Sequence, residues 1–169
     1  MKPSLCTVIV LAVVATASGC SGGHSTAPRQ SLKQNSAFIA RAEQSCARAK
    51  TQLDALPSFP FRHFDPLHPD PRLLPKIGHF FTGRGNELPI VRRLYTQLRT
   101  LGTPPANGAA WSDVIATYRE YIAVFEHEDK AAVAVDTQAW VKSVKENRQA
   151  HTRLANATAA FGTTRCDVL

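Results

Sequence analysis

Two short runs in the middle of the chain carry residue types from which a metal site could be made. His63-Phe64-Asp65 and His68-Pro69-Asp70 repeat an imidazole and a carboxylate at close spacing. Both groups ligate zinc or copper, and a loop could fold two such pairs onto one ion. The same residues have a second reading. Asp65 and Asp70 each precede a proline, a placement that starts turns and leaves the histidines facing solvent, and it is the favoured one. A further run, Glu126-His127-Glu128-Asp129, lies at the end of a helical pattern. Neighbours in sequence do not share a helix face, so this run makes a poor chelate and reads as a solvated surface. Nothing points to catalysis. There is no G-x-S-x-G elbow, no H-E-x-x-H helix and no glycine-rich phosphate loop with its lysine. His151 sits on a mostly apolar face and reads as a satisfied core or boundary histidine rather than a general base. The expectation is a non-enzymatic protein with no catalytic residue.

The N-terminus holds a more specific chemistry. Lys2 is followed by a nearly unbroken apolar stretch from Leu5 to Ala17. As a helix it would cover about two-thirds of a ~30 Å hydrocarbon core, too little for a permanent span. Ala17-Ser18-Gly19-Cys20 follows directly. Small side chains there suit a peptidase that draws extended backbone into a narrow groove. Ser18, Gly19 and Cys20 are similar to the lipobox of bacterial lipoproteins, with Ala17 standing where leucine is most frequent. Residues 1–19 then form a lipoprotein signal peptide, and Cys20 is the lipidation site, carrying diacylglycerol on its sulfur. The alternative is an ordinary secretory signal cut nearby. Two or three acyl chains would hold the protein stably, whereas one binds only marginally.

Removing the leader simplifies the thiols. Cys6 leaves with the signal peptide and Cys20 is consumed by lipid, so Cys46 and Cys166 remain, in a compartment that permits oxidation. One pair admits one connectivity. With no C-x-x-C spacing, a structural disulfide is expected rather than a redox or metal-binding thiol.

Residues 20–34 comprise the lipidated cysteine and a stretch rich in Gly, Ser, Thr, Pro and Gln, which buries too little surface to offset ordering and reads as a flexible tether. Residues 35–169 form one domain of ordinary size. Its periodicity is helical. Ile39, Ala42, Cys46, Ala49, Leu53 and Leu56 lie on one stripe, with Ser36 as N-cap and Pro57 as stop. Further stripes run Val91, Leu94, Leu98, Leu101; Trp111, Val114, Tyr118, Tyr121 or Ile122, Phe125; and Trp140, Val144, Leu154, Phe161. Between the first two lies a connection broken by six prolines from Pro57 to Pro75, yet too rich in phenylalanine for a free linker. It should be ordered, wrapping over the bundle, with a short helix from Leu73 to Phe81. The expected fold is all-α: a small antiparallel bundle of about four helices, with a Pro/Phe-rich ordered connection, stapled by one disulfide.

The segments Phe38-Ile39-Ala40-Arg41-Ala42 leading to Cys46, Leu98-Arg99-Thr100-Leu101-Gly102-Thr103-Pro104-Pro105, and Phe161-Gly162-Thr163-Thr164-Arg165-Cys166 give the chain its resemblance to small actinobacterial lipoproteins with a helical extracytoplasmic domain. That resemblance implies a fold and an anchor. It implies no activity and transfers no catalytic or binding residue.

The chain carries a formal charge of +7. Its cationic excess is concentrated in the first two-thirds, where it would meet an anionic envelope component, such as lipid headgroups or phosphate-bearing polymers, or an acidic protein partner. A solubility role for the surplus carries equal weight. Nucleic acid is not indicated, because no recognisable reading module accompanies the charge. The expected function is a non-enzymatic binding module in the cell envelope, attached to the membrane through its lipid. A small-ligand or metal carrier using residues 57–82 is the alternative. No cofactor is expected beyond the covalent lipid. With Ser21 after Cys20, a two-membrane host would send the protein to the outer membrane. A single-membrane or actinobacterial host would keep it on the outer face of the plasma membrane.

Overall fold

A computed structural model describes residues 27–167, with side chains from Gln34 onward; the leader, Cys20 and residues 21–26 of the expected tether lie outside the described residues. Among these are five helices and no strand: α1 (Ala27–Asp54), α2 (Leu74–Thr82), α3 (Leu88–Thr100), α4 (Gly108–Val133) and α5 (Thr137–Phe161). No helix among them is long and apolar enough to cross a membrane.

α1 begins ahead of the expected domain boundary, so residues 27–34 are helical and Ser36 lies inside the helix rather than capping it. Pro28 is tolerated in a first turn, where its missing N–H would have no partner anyway. Arg29, Gln30, Leu32, Lys33 and Gln34 then propagate helix readily once the core-bound turns have nucleated it. The buried stripe of α1 is led by Phe38, one residue before the expected start, and continues through Ala42, Cys46 and Ala49.

Aromatic contacts set the helix directions. Phe38 meets Trp111 edge-on at the start of α4, with centroids 5.0 Å apart, and lies 6.0 Å from Phe161 at the end of α5. At the opposite end, Asn147 of early α5 donates to Glu128 of late α4, and Arg92 of early α3 pairs with Glu126. α1 and α4 therefore run one way, and α3 and α5 the other. The large core contains Phe38, Leu94, Leu98, Trp111, Tyr118 and Leu154. Each such side chain contributes about 1.5 to 3 kcal/mol by leaving water.

Cys46 and Cys166 are joined, with S–S at 2.01 Å and Cα atoms 5.0 Å apart, both fully buried. The segment after α5 is held by more than the disulfide. Tyr118 donates its hydroxyl to the Cys166 carbonyl at 2.6 Å, and Glu43 accepts from the Thr164 N–H at 2.9 Å and from its hydroxyl at 3.0 Å.

A second, smaller core closes the far end of the molecule. Leu74 and Ile77 of α2 pack with Ala131, Ala132, Trp140 and Val144, flanked by Phe61, Phe64 and Leu67 of the connection. Gly78 permits this approach: a Cβ there would lie 3.1 Å from the Val133 nitrogen and 3.2 Å from the Ala132 Cβ. The proline-rich connection is thus ordered, and its short helix falls within a residue of the expected range.

Candidate functional site

The connection positions its aromatic residues through turns and one long-range hydrogen bond. Asp65 accepts from the Leu67 N–H and Asp70 from the Arg72 N–H, each at 2.9 Å, the side-chain turns that favour aspartate before proline. Trp140 donates its indole N–H to the Pro66 carbonyl at 2.9 Å, while Phe64 packs on the Trp140 ring at 5.9 Å. Pinned there, the segment brings Phe59 onto α2. Phe59 stacks nearly parallel on Phe81 at 5.5 Å and meets Phe61 at 5.2 Å and Phe80 at 5.7 Å. This cluster is not sealed: Phe59 keeps 38% of its surface in water.

Beside the cluster opens a cleft of about 390 Å³ between the connection and α2. Pro60, Phe61 and Phe80 are its apolar lining, and Lys76, His79 and Arg84 its cationic one. The Arg84 guanidinium lies 5.9 Å from the Phe80 ring centroid, within cation–π range. No ion pair among the described residues involves Arg62, Arg72, Lys76 or Arg84. The cleft therefore combines apolar surface with cations that lack acidic partners. A larger groove, about 720 Å³, runs between α1 and the C-terminal segment. There Lys50 is paired with Asp54 at 2.9 Å, and Arg165 shares the lining with Asp167. Its charges are balanced, so it selects no sign of ligand.

The expected metal residues are not gathered into one site. Asp65 accepts from His68 Nδ1 at 2.9 Å, and that hydrogen bond, with the Leu67 N–H, holds its carboxyl below the usual aspartate range. His63 and Asp70 are exposed. No group of three or more His, Cys, Asp or Glu is placed to hold a metal ion among the described residues. Ring and carboxylate are drawn into local turns, so the two pairs do not converge.

The Glu126–Asp129 run departs from its expected solvated face. α4 continues through it, leaving Glu128 and Asp129 half-buried against the neighbouring helices. Asn147 Nδ2 donates to Glu128 at 2.7 Å. Burial pushes the carboxyls of Glu128, Glu87 and Asp129 above their ordinary values; Asp129 adds to the shift at the first two and Glu126 at the third, while Arg92 opposes it at Asp129. Tyr121, largely buried beside Glu87 and Glu128, is raised as well, again chiefly by burial. This knot is a packing feature that ties α3, α4 and α5 together. His151 is partly buried, as a boundary histidine would be.

Sequence reasoning named the histidines and aspartates of the connection but not Lys76, His79 and Arg84 as a set. Lys76 and His79 share a face of α2 by their spacing, but the set carries no motif, and only the folding of Pro60 and Phe61 onto α2 makes that face, with Arg84, the wall of a cleft. The chain matches no family model, no curated protein and no solved structure.

Proposed function

We propose that this chain is a lipid-anchored, extracytoplasmic protein of the cell envelope, attached through Cys20, whose helical body is a non-enzymatic binding module. The observation that carries the reading is the cross-link of Cys46 to Cys166, the two thiols left over once Cys6 and Cys20 are assigned to the leader and the lipid. Structural disulfides form and persist in oxidising compartments, which agrees with export. The body is read as an antiparallel bundle of about four long helices, α1, α3, α4 and α5, with α2 and the connection closing one end. The direction of α1 supports a division of labour. Its N-terminus, nearest the anchor, leaves the bundle at the Trp111 and Phe161 end, while the cleft lies at the Trp140 end. α4 alone spans about 39 Å between them. An anchor at one end holds the cleft away from the bilayer, toward other envelope components.

Intact mass of the protein extracted from membranes tests this reading. Loss of residues 1–19, added diacylglycerol mass and no alkylatable thiol are expected. An unprocessed cytosolic chain with two open sulfhydryls overturns it.

A carrier of small ligands is the second reading, and the cleft beside Phe59 is the observation in its favour. Its metal-binding form needs His63, Asp65, His68 and Asp70 on one ion, and it is checked by elemental analysis of protein purified without chelators. Stoichiometric zinc or copper at micromolar supply supports that form; metal-free protein removes it.

A further inference from the structure

Among the described residues, the exposed large hydrophobic ones, Phe59, Val133 and Val135, lie at the Trp140 end. Phe59 tops the aromatic cluster on α2, and Val133 lies where α2 crosses the end of α4. Val135, in the turn between α4 and α5, is held at a φ of 57°, a conformation that β-branched residues rarely adopt. Phe59 adjoins the cleft through its contacts with Phe61 and Phe80, and exposed apolar surface rimmed by polar residues marks a contact surface. Lys76, His79 and Arg84 stand on the same end, beside apolar Pro60, Phe61 and Phe80.

We propose that the cleft between Phe61 and α2 is a binding site for an amphiphile with a net-anionic phosphate-monoester headgroup. This rests on the binding-module reading above and names its ligand chemistry. The headgroup lies against Lys76 and Arg84, with His79 as a further donor, and the hydrocarbon lies along Pro60, Phe61 and Phe80 toward exposed Phe59. Charge complementarity selects the headgroup. A phosphate monoester offers three strong acceptor oxygens and more than one negative charge at neutral pH, which guanidinium and ammonium groups engage through charge-assisted hydrogen bonds. The cations have no carboxylate to displace first, because neither Lys76 nor Arg84 is in an ion pair among the described residues. The apolar wall selects against bare phosphate, since only a ligand with a hydrocarbon portion withdraws Phe59 and Phe61 from water. A cleft of about 390 Å³ accommodates a headgroup and the first part of a chain, not a whole two-chain lipid. The ligand could be a free amphiphile or a headgroup in a facing bilayer, and both present the same chemistry.

Photo-crosslinking of the full chain tests this. The probe is a diazirine-bearing phosphatidic acid, supplied as a short-chain monomer and, separately, in phosphatidylcholine vesicles, with adducts mapped by mass spectrometry. Adducts are expected in the peptides covering residues 59–84. Unlabelled short-chain phosphatidic acid should compete them away, and phosphatidylcholine should not. Reversing two charges with K76E and R84E together should cut labelling by about tenfold or more. Far-UV circular dichroism and thermal midpoint should stay unchanged, because both side chains are exposed. Labelling by monomers assigns a free ligand, and labelling only from vesicles assigns a bilayer headgroup; each supports the site. Adducts confined to the leader, competition by inorganic phosphate equal to that by phosphatidic acid, or insensitivity to K76E/R84E overturns it. If the labelling fails while membrane-extracted protein still shows the lipidated, disulfide-bonded mass, the ligand assignment falls and the envelope-module reading survives. An unprocessed chain brings down both.

Discussion

Reducing the disulfide should remove a large part of the stability of this domain. Cys46 and Cys166 are 120 residues apart, so the cross-link closes a loop spanning most of the helical body. In the chain-entropy treatment a loop of that length restrains the unfolded chain by about 5 kcal/mol. Domains of this kind have about 5 to 15 kcal/mol in total. The native contacts nearby do not replace it. The hydroxyl bond of Tyr118 to the Cys166 carbonyl and the Glu43 contacts with Thr164 order the tail only in the folded state, whereas the cross-link acts on the unfolded one. Urea unfolding of the full chain, followed by far-UV circular dichroism with and without reductant, measures the effect. With a slope of about 1 to 3 kcal/mol per molar, the midpoint should fall by about 2 M or more. The reduced wild-type chain is the cleaner comparison. It keeps both sulfur atoms in place, whereas Cys46→Ala with Cys166→Ala adds two small cavities. Oxidised and reduced midpoints within about 0.5 M of each other would refute the loop-closure reasoning, and would mean that the tail contacts already confine the unfolded chain.

Other outcomes follow from the same structure. Tyr118→Phe strands the buried Cys166 carbonyl and should lower stability by about 1 to 3 kcal/mol, read from the same urea curves; no change would mean that the carbonyl finds water. Burial holds the folded-state pKa of Glu87 and Glu128 above the ordinary 4.5, so their contribution is full below that value and is lost as the pH rises through the folded pKa. The thermal midpoint should therefore climb as the pH falls through those raised values toward 4.5, and Glu87→Gln with Glu128→Gln should flatten that climb. Glu43, held low chiefly by the Thr164 backbone N–H, acts oppositely: its contribution is present above the ordinary 4.5 and is lost in more acidic solution as the pH falls through its lowered value. A Cβ added at Gly85 would lie 2.2 Å from the Phe80 ring, so Gly85→Ala must displace that ring, at a cost of about 1 to 3 kcal/mol by thermal or urea unfolding, and distort the cleft. Val135→Gly should raise stability by about 1 kcal/mol by relieving the left-handed backbone, and a loss would show that the exposed valine packs more than its surroundings indicate.

Several features were legible because their causes are local. The spacing of Leu94, Leu98, Trp111, Val114, Tyr118, Trp140 and Leu154 is a helical period, and each of these side chains is buried. The prolines and phenylalanines of the connection announced an ordered segment, and its helix appeared at Leu74–Thr82. The end of α4 was not legible. The Val135 N–H donates to the Ala132 carbonyl and the Asp136 N–H to that of Ala131, the paired bonds of a Schellman cap. The left-handed position of that cap is normally glycine, and here it is valine, so the usual stop signal is missing. The acidic run before it read as solvated because nothing in its own stretch supplies a partner; Asn147 and Arg92 arrive from other helices.

Taken by itself, the order of residues determined the elements whose energetics are short-range: the apolar stripes of the helices and the proline breaks between them. Tertiary structure alone decided which end of the bundle α2 and the connection close, that α2 lies close enough to α4 for Gly78 to matter, and that Lys76, His79 and Arg84 share one cleft with Phe61 and Phe80. The physical reason is range. Helical periodicity repeats over a turn or two, whereas the cleft depends on a loop closed by the Trp140 to Pro66 hydrogen bond across 74 residues, which leaves no periodic mark in the chain.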